Sequence, residues 1–272
     1  MEYKLPSRIE NSNKSTYGRV LNIAGSDYMP GAAYLSSVSA LKVGCGYCFL
    51  ATTERVIDAV AAQTKNVVFL PYSDLDTHIR LADVVAIGCG LSTSDQACDI
   101  FKFVLSNLDK NTPLVIDADG LNILAKLDFG LNHNTILTPH PKEAARLLDC
   151  SLDEVLSDMK SSACRISEKY NAVVALKTHN TIVVSPNGQT YVNNTGNNAM
   201  AKAGSGDVLT GIISGLVAQG MELFEATCLG VYLHGLAGDL AKNELTEYSV
   251  MAEDLISFIP KSIKLFLAGN NV

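Results

Sequence analysis

The stretch AKAGSGDVLTGIISGLVAQG, residues 201–220, places three glycines and a serine around one carboxylate, Asp207, and then turns apolar. Val208, Leu209, Ile212, Ile213, Leu216 and Val217 recur at helical spacing, so the segment reads as a tight turn feeding a helix from Gly206 to Gln219. Two readings of the turn stand side by side. Ser205 or Asp207 simply caps the helix. Alternatively, Gly204, Ser205 and Gly206 bring backbone N–H groups round an anion at the positive end of the helix, with Asp207 beside them as a general base.

Upstream of this helix, short apolar β-rich runs alternate with longer helical patterns, which predicts an α/β fold: a doubly wound, mostly parallel sheet with helices on both faces. The runs are 20–24, 47–51, 67–70, 84–88, 114–117, 135–138, 173–176 and 181–185, and Pro186-Asn187-Gly188 turns the chain into 189–192. Helices are expected at 31–43, 94–108, 141–148, 152–170, 206–219, 223–243 and 252–266. No repeat or linker divides them, so residues 1–272 read as a single domain, with 1–18 as an arm lying on it or on a neighbouring subunit.

Composition narrows the function. With 272 residues, 47% of them hydrophobic, the chain can bury one large core. The net charge of −7 and the lack of a basic patch argue against nucleic acid as a partner. No apolar run nears the roughly 18 residues of a membrane span, and the amino end lacks a signal-peptide core, which predicts a cytoplasmic protein without membrane attachment. Of the seven cysteines, Cys89, Cys98, Cys164 and Cys228 read as reduced core thiols, and Cys45-Gly-Tyr-Cys48 has no second pair with which to build a zinc site.

In such sheets ligands bind beyond the carboxyl ends of the strands, where the chemically capable residues collect. Asp117 and Asp119 follow one strand and would share a face if the chain stayed extended; turn formation is the other reading. In Thr138-Pro-His-Pro-Lys-Glu143, His140 is held between prolines, and Glu143 falls in the first turn of a helix. Glu143 either caps that helix or holds a magnesium ion through water, and His140 is placed to face an acceptor substrate. Lys177 ends another strand, as a phosphate partner or a solvated lysine. His78 and His133 read as loop histidines, and nothing nearby in sequence partners His179 or His234.

Assembled in order, Pro30-Gly-Ala-Ala33, Gly88-Cys-Gly-Leu91, Asp117-Ala-Asp-Gly-Leu-Asn122, Thr138-Pro-His-Pro-x-Glu143, Asn193-x-Thr-Gly-Asn197 and Ala203-Gly-Ser-Gly-Asp-Val-Leu209 resemble the ADP/ATP-dependent NAD(P)H-hydrate dehydratases of the ribokinase-like superfamily, over nearly the whole length. Kinases of that fold usually carry Asn at the position of His140 and Thr at that of Ser205. Cys89 stands where the dehydratases often have Pro, and Thr178-His179 follows Lys177 where Gly is more usual.

The resemblance implies dehydration of the 6S hydrate of NADH or NADPH, driven by ADP or ATP with Mg2+, in a homotetramer. It implies Asp207 as the catalytic base and Ala33, Gly90, His140 and Asp207 as contacts to the hydrate. Lys177, Thr178, His179, Asn180, Thr181, Gly204, Ser205 and Gly206 are implied as nucleotide-binding positions. A vitamin-like alcohol kinase would share the nucleotide site but leave a stable phosphoester. A nucleotide-binding regulatory protein would show no turnover at all.

Overall fold

The computed structural model describes residues 3–127, 131 and 134–269, so His133 lies outside the described residues. In chain order the elements begin β1 (Arg19–Ile23), α1 (Pro30–Val43), β2 (Tyr47–Thr52), α2 (Glu54–Ala61), β3 (Val68–Pro71), α3 (Leu75–Ile79), β4 (Val84–Ile87) and α4 (Asp95–Asn107). They continue with β5 (Leu114–Ile116), α5 (Asp119–Leu124), β6 (Thr135–Leu137), α6 (Pro141–Leu148), α7 (Leu152–Ser157), α8 (Met159–Tyr170) and β7 (Val173–Leu176). The chain closes with β8 (Ile182–Val184), β9 (Thr190–Val192), α9 (Ser205–Ala218), α10 (Leu223–Leu245) and α11 (Ala252–Gly269).

The strands form one sheet in the order β3-β2-β1-β4-β5-β6-β7-β8-β9. β1 through β7 pair in parallel, and β8 and β9 return antiparallel. Both faces of the parallel part are covered, which is why its strands are apolar at nearly every position. Val20, Val84 and Ala86 face one buried layer with α1, α9, α10 and α11. Leu21, Ile23, Val85 and Ile87 face the other, with residues of α4, α5, α6 and α8. The chain reverses direction across the sheet between β1 and β4, so the loops after these two strands diverge there and open a crevice.

The expected helix over 152–170 is two helices. Asp158 leaves helical geometry and its carboxylate accepts from Ser161 N at 2.9 Å, capping the second. Three helices went unpredicted: α2, whose Val56 and Val60 alone turn inward, and the short α3 and α5. His78 belongs to α3 and packs against Phe49 with the rings tilted by 48°, rather than lying in a loop. Of the four expected core thiols, Cys89 and Cys228 are buried while Cys98 and Cys164 are half-buried, because they lie toward the outer sides of α4 and α8. Cys45 and Cys48 are free and buried, and burial pushes the Cys48 thiol up to about 12.

The amino-terminal arm packs on its own chain. Arg8 donates to Gly44 O at 2.5 Å and to Gln219 Oε1 at 3.1 Å, placing a cation at the carboxyl ends of α1 and α9, where the helix dipoles favour one. Among the described residues no helix is long and apolar enough to cross a membrane.

α1 and α9 pack closely because Gly211 and Gly215 face the backbone of α1. A methyl group at Gly211 would overlap the Ser36 carbonyl oxygen, whereas one at Gly31 would meet nothing within 4 Å. Gly211→Ala is therefore expected to lower stability by about 1–3 kcal/mol despite the better helix propensity of alanine. Gly31→Ala should leave the thermal midpoint unchanged or raise it slightly; equal midpoints for the two variants would refute the packing argument.

Candidate active site

The crevice is built from the ends of β4, β5, β6 and β7 and the start of α9. Asp117, one residue beyond β5, is 1% exposed. Its Oδ1 accepts from Lys177 Nζ at 2.6 Å and Ala118 N at 2.8 Å, and its Oδ2 from Thr210 Oγ1 at 2.6 Å. Lys177 follows β7, and its own N–H donates to Pro139 O at 2.8 Å, tying the His140 loop to the same point. A Cβ added to Gly206 would stand 3.2 Å from Lys177 Nζ and 3.7 Å from Asp117 Oδ2, so the first turn of α9 lies directly over this pair.

The two aspartates expected on one face diverge. Ala118 takes φ 48° and ψ −118°, which ends the extended chain between them. Asp117 turns to Lys177, and Asp119 instead accepts from Ser92 N at 2.8 Å. Asn122, the third polar group of that motif, accepts from Arg146.

His140 and Glu143 form a reciprocal cap for α6. The His140 Nδ1 accepts from the amides of Lys142 and Glu143, and Glu143 Oε2 accepts from His140 N at 2.8 Å. With Nδ1 an acceptor, the neutral ring carries its proton on Nε2, 3.3 Å from Glu143 Oε1. The capping reading of Glu143 is therefore realised. Among the described residues no three His, Cys, Asp or Glu side chains gather as a metal cage. Glu143, with Oε2 on His140 N and Oε1 3.3 Å from His140 Nε2, could reach a magnesium ion carried by nucleotide phosphates only through water.

Burial is the largest influence on Asp207 and Glu143. It raises Asp207 to about 6, helped by the charge of Asp117 and opposed by a hydrogen bond from Cys89 and the charge of Lys177. It raises Glu143 to about 7 against the pull of Lys177. Desolvation disfavours the Lys177 charge too, but Asp117 and Glu143 outweigh it and hold the ammonium above its ordinary value. Burial and Lys177 together push His140 down.

Asp207, Gly206, Lys177, Glu143 and His140 thus lie around one crevice. Gly204, with φ 91°, and Ser205 start α9 at the same place. Gly90, with φ 61°, lies against the start of α1, where a methyl would meet Ala32 and Met29. Ala33 is fully buried against Gly25, so its side chain shapes the wall without facing the crevice. Thr178 to Thr181 form the β7–β8 turn, tied by Thr178 Oγ1 to Asn180 O and Thr181 Oγ1 to Thr178 O; His179 and Asn180 are exposed. Sequence reasoning missed Thr210, one turn beyond Asp207, and the partner of His234, which is Ser205.

A family model for NAD(P)H-hydrate dehydratase matches residues 20–261. The chain belongs to this family. It is 40% identical to the bifunctional NAD(P)H-hydrate repair enzyme Nnr of Moorella thermoacetica, over 94% of the chain and 51% of that protein, so it spans about half the length of this relative. Its backbone matches a ribokinase-like superfamily protein of Enterococcus faecalis V583 with a TM-score of 0.89, at 29% identity, covering 96% of this chain and 92% of that one. It also matches the ADP/ATP-dependent NAD(P)H-hydrate dehydratase of Bacillus subtilis, co-crystallised with ATP/Mg2+, with a TM-score of 0.87 at 31% identity, covering 96% and 94%. The ribokinase-like expectation for the dehydratase fold is thereby met.

A carboxyl group raised on folding binds its proton more tightly in the native state than in the unfolded chain. The stabilisation this gives is complete below the unfolded value of 3.8 and is lost as pH rises through about 6, leaving an ionised, destabilising Asp207 at pH 8. Asp207→Asn is expected to be more stable than the parent at pH 8 by about 1–3 kcal/mol, with the difference shrinking toward pH 4. Thermal unfolding at both pH values measures it; a variant less stable at pH 8 would contradict the assignment.

Proposed function

We propose that the chain catalyses the ADP- or ATP-dependent dehydration of hydrated NADH or NADPH, releasing phosphate and AMP or ADP. The observation that carries this is Asp207: a desolvated carboxylate at the amino end of α9, beside the first-turn amides of Gly206 and Asp207 and the Lys177–Asp117 pair. A base and an anion site meeting at one point is what transfer of a phosphoryl group to an alcohol requires.

In this mechanism the ring hydroxyl attacks the terminal phosphorus while Asp207 takes its proton, and the bond from phosphorus to the nucleotide oxygen breaks. The amides of Gly206 and Asp207, aligned with the α9 dipole, stabilise the charge on the phosphoryl oxygens. Lys177 keeps N–H donors beyond the one given to Asp117, so it can pair with phosphate without leaving the ion pair. The ring nitrogen then expels phosphate, a better leaving group than hydroxide, and loss of the adjacent ring proton restores the dihydronicotinamide. Glu143 would hold magnesium through water, and the ion would supply neutralisation of the nucleotide phosphate charge.

His140 and Gly90 line the side of the crevice where the hydrate binds, with Ala33 behind them. Lys177 to Thr181, with Gly204 to Gly206, hold the nucleotide. We take residues 1–272 as one domain, working in the cytoplasm as a homotetramer.

The test follows near-ultraviolet absorbance, which returns only when the dihydronicotinamide ring is restored, on mixing the protein with NADH hydrate, magnesium and ADP or ATP. A nucleotide-dependent rise with phosphate release is expected. A stable phosphoester with no rise would make the chain an alcohol kinase instead. Asp207→Asn should lower kcat by about 10²–10⁴-fold while nucleotide still binds. Because the base works ionised, kcat should climb with pH through about 6 and level off above it; a flat profile from pH 5 to 8 would remove Asp207 from that role.

A further inference from the structure

The mechanism above leaves His234, a titratable side chain beside the phosphoryl site, without a task. His234 lies in α10, with its Nε2 3.3 Å from Ser205 Oγ. α10 is pressed against the strand-to-helix connection here, since methyl groups on Gly235 and Gly238 would overlap Thr195 and Met200. That packing sets the position of α10, and with it the His234 backbone, beside the start of α9. Burial, with the charge of Lys177, pushes His234 down to about 4, so the imidazole is neutral near pH 7 and carries one N–H.

Which nitrogen carries that proton determines what Ser205 can do. If Nε2 were bare, the serine hydroxyl would donate to it and present only lone pairs to the crevice, repelling an anion. With the proton on Nε2, the ring donates and the serine proton is free to point elsewhere. The 3.3 Å contact admits either direction, and only the second leaves Ser205 a proton to offer an anion. Ser205 itself is only partly buried, at the first position of α9 and next to Gly206.

We propose that His234 is a positioning residue for phosphoryl transfer: its Nε2–H donates to Ser205 Oγ and turns the serine hydroxyl proton toward the anion site. Ser205 then supplies a third donor beside the amides of Gly206 and Asp207. The inference rests on the dehydratase reading of the site. It accounts for a histidine in the middle of an otherwise apolar helix stretch, Val231-Tyr-Leu-His-Gly-Leu236.

The test combines ring nitrogen NMR with kinetics. In the wild-type protein the His234 resonances, assigned by their loss in His234→Gln, should be those of a neutral Nε2–H ring at pH 7; an Nδ1–H ring would overturn the proposal without recourse to any variant's activity. His234→Leu and Ser205→Ala should each lower kcat by about 10–100-fold. In His234→Leu, nucleotide affinity by calorimetry should change by less than about threefold. In the Ser205→Ala background His234→Leu should cost no more than about twofold further, since both act through one hydroxyl. His234→Gln, which keeps a donor, should recover most of the lost kcat. Additive losses, or a loss in nucleotide affinity with kcat intact, would reduce His234 to a packing residue. Wild-type protein that turns over neither nucleotide would sink the dehydratase reading and this inference together, whereas an active wild type unaffected by His234→Leu would sink only the latter.

Discussion

The Lys177–Asp117 ion pair fixes the positions of everything else in the crevice. It joins the end of β7 to the end of β5, and Asp117 reaches on to Thr210 in α9, so one carboxylate ties two strands and a helix together. A buried pair of this kind adds little net stability over an apolar substitute, but losing one partner strands a charge in low dielectric. Its value here is therefore positional. Thr210 lies one helical turn after Asp207, so holding Thr210 also sets the rotation of α9, and with it the direction of the Asp207 carboxylate and of the first-turn amides.

The same pair explains how an acidic crevice can serve a phosphate. Asp117, Glu143 and Asp207 surround a single lysine, which looks hostile to an anion. Yet Asp117 is already committed to three donors, and burial keeps Glu143 and Asp207 easier to protonate than free carboxylic acids. What remains for the ligand is directional rather than ionic: amides at a helix start, with Lys177 supplying the local positive charge.

Much of this was legible in the chain. Apolar runs ending in Gly, Asp, His or Lys gave the parallel sheet and its chemically active edge, and Gly204 to Asp207 gave the helix start. Readings failed where local pattern yields to backbone conformation or to distant partners. Asp117 and Asp119 follow the period of a strand, but Ala118 has a positive φ and separates them. Lys177 ends a strand like any solvated lysine, and only the fold brings it to a carboxylate 60 residues away. His234 has no local signal at all, because its partner lies 29 residues earlier across a helix crossing. The 152–170 segment has continuous helical character, and only the side chain of Asp158, capping the next turn, divides it.

Among the described residues, two of the non-glycine positions with positive φ stand at the crevice, while Asp149, Asn171 and Thr246 close helices elsewhere. Ala118 and Ser92 both hold positive φ without being glycine, and they flank the two loops that carry Asp117 and Gly90. Gly88 cannot be replaced there either, since a Cβ would overlap the Asp117 carbonyl and crowd Gly120. Such conformations each cost on the order of 1–3 kcal/mol and persist only when surrounding contacts over-determine them. The contacts that do so are the ones just described: Asp119 receiving the Ser92 amide and Asp117 held by Lys177 and Thr210. A relaxed β5 loop would return Asp117 to the line of its strand and release α9, changing where the Asp207 carboxylate and the first-turn amides stand. The strained backbone is thus the means by which two features readable separately in sequence, an Asp-x-Asp turn and a Gly-Ser-Gly-Asp helix start, become one site.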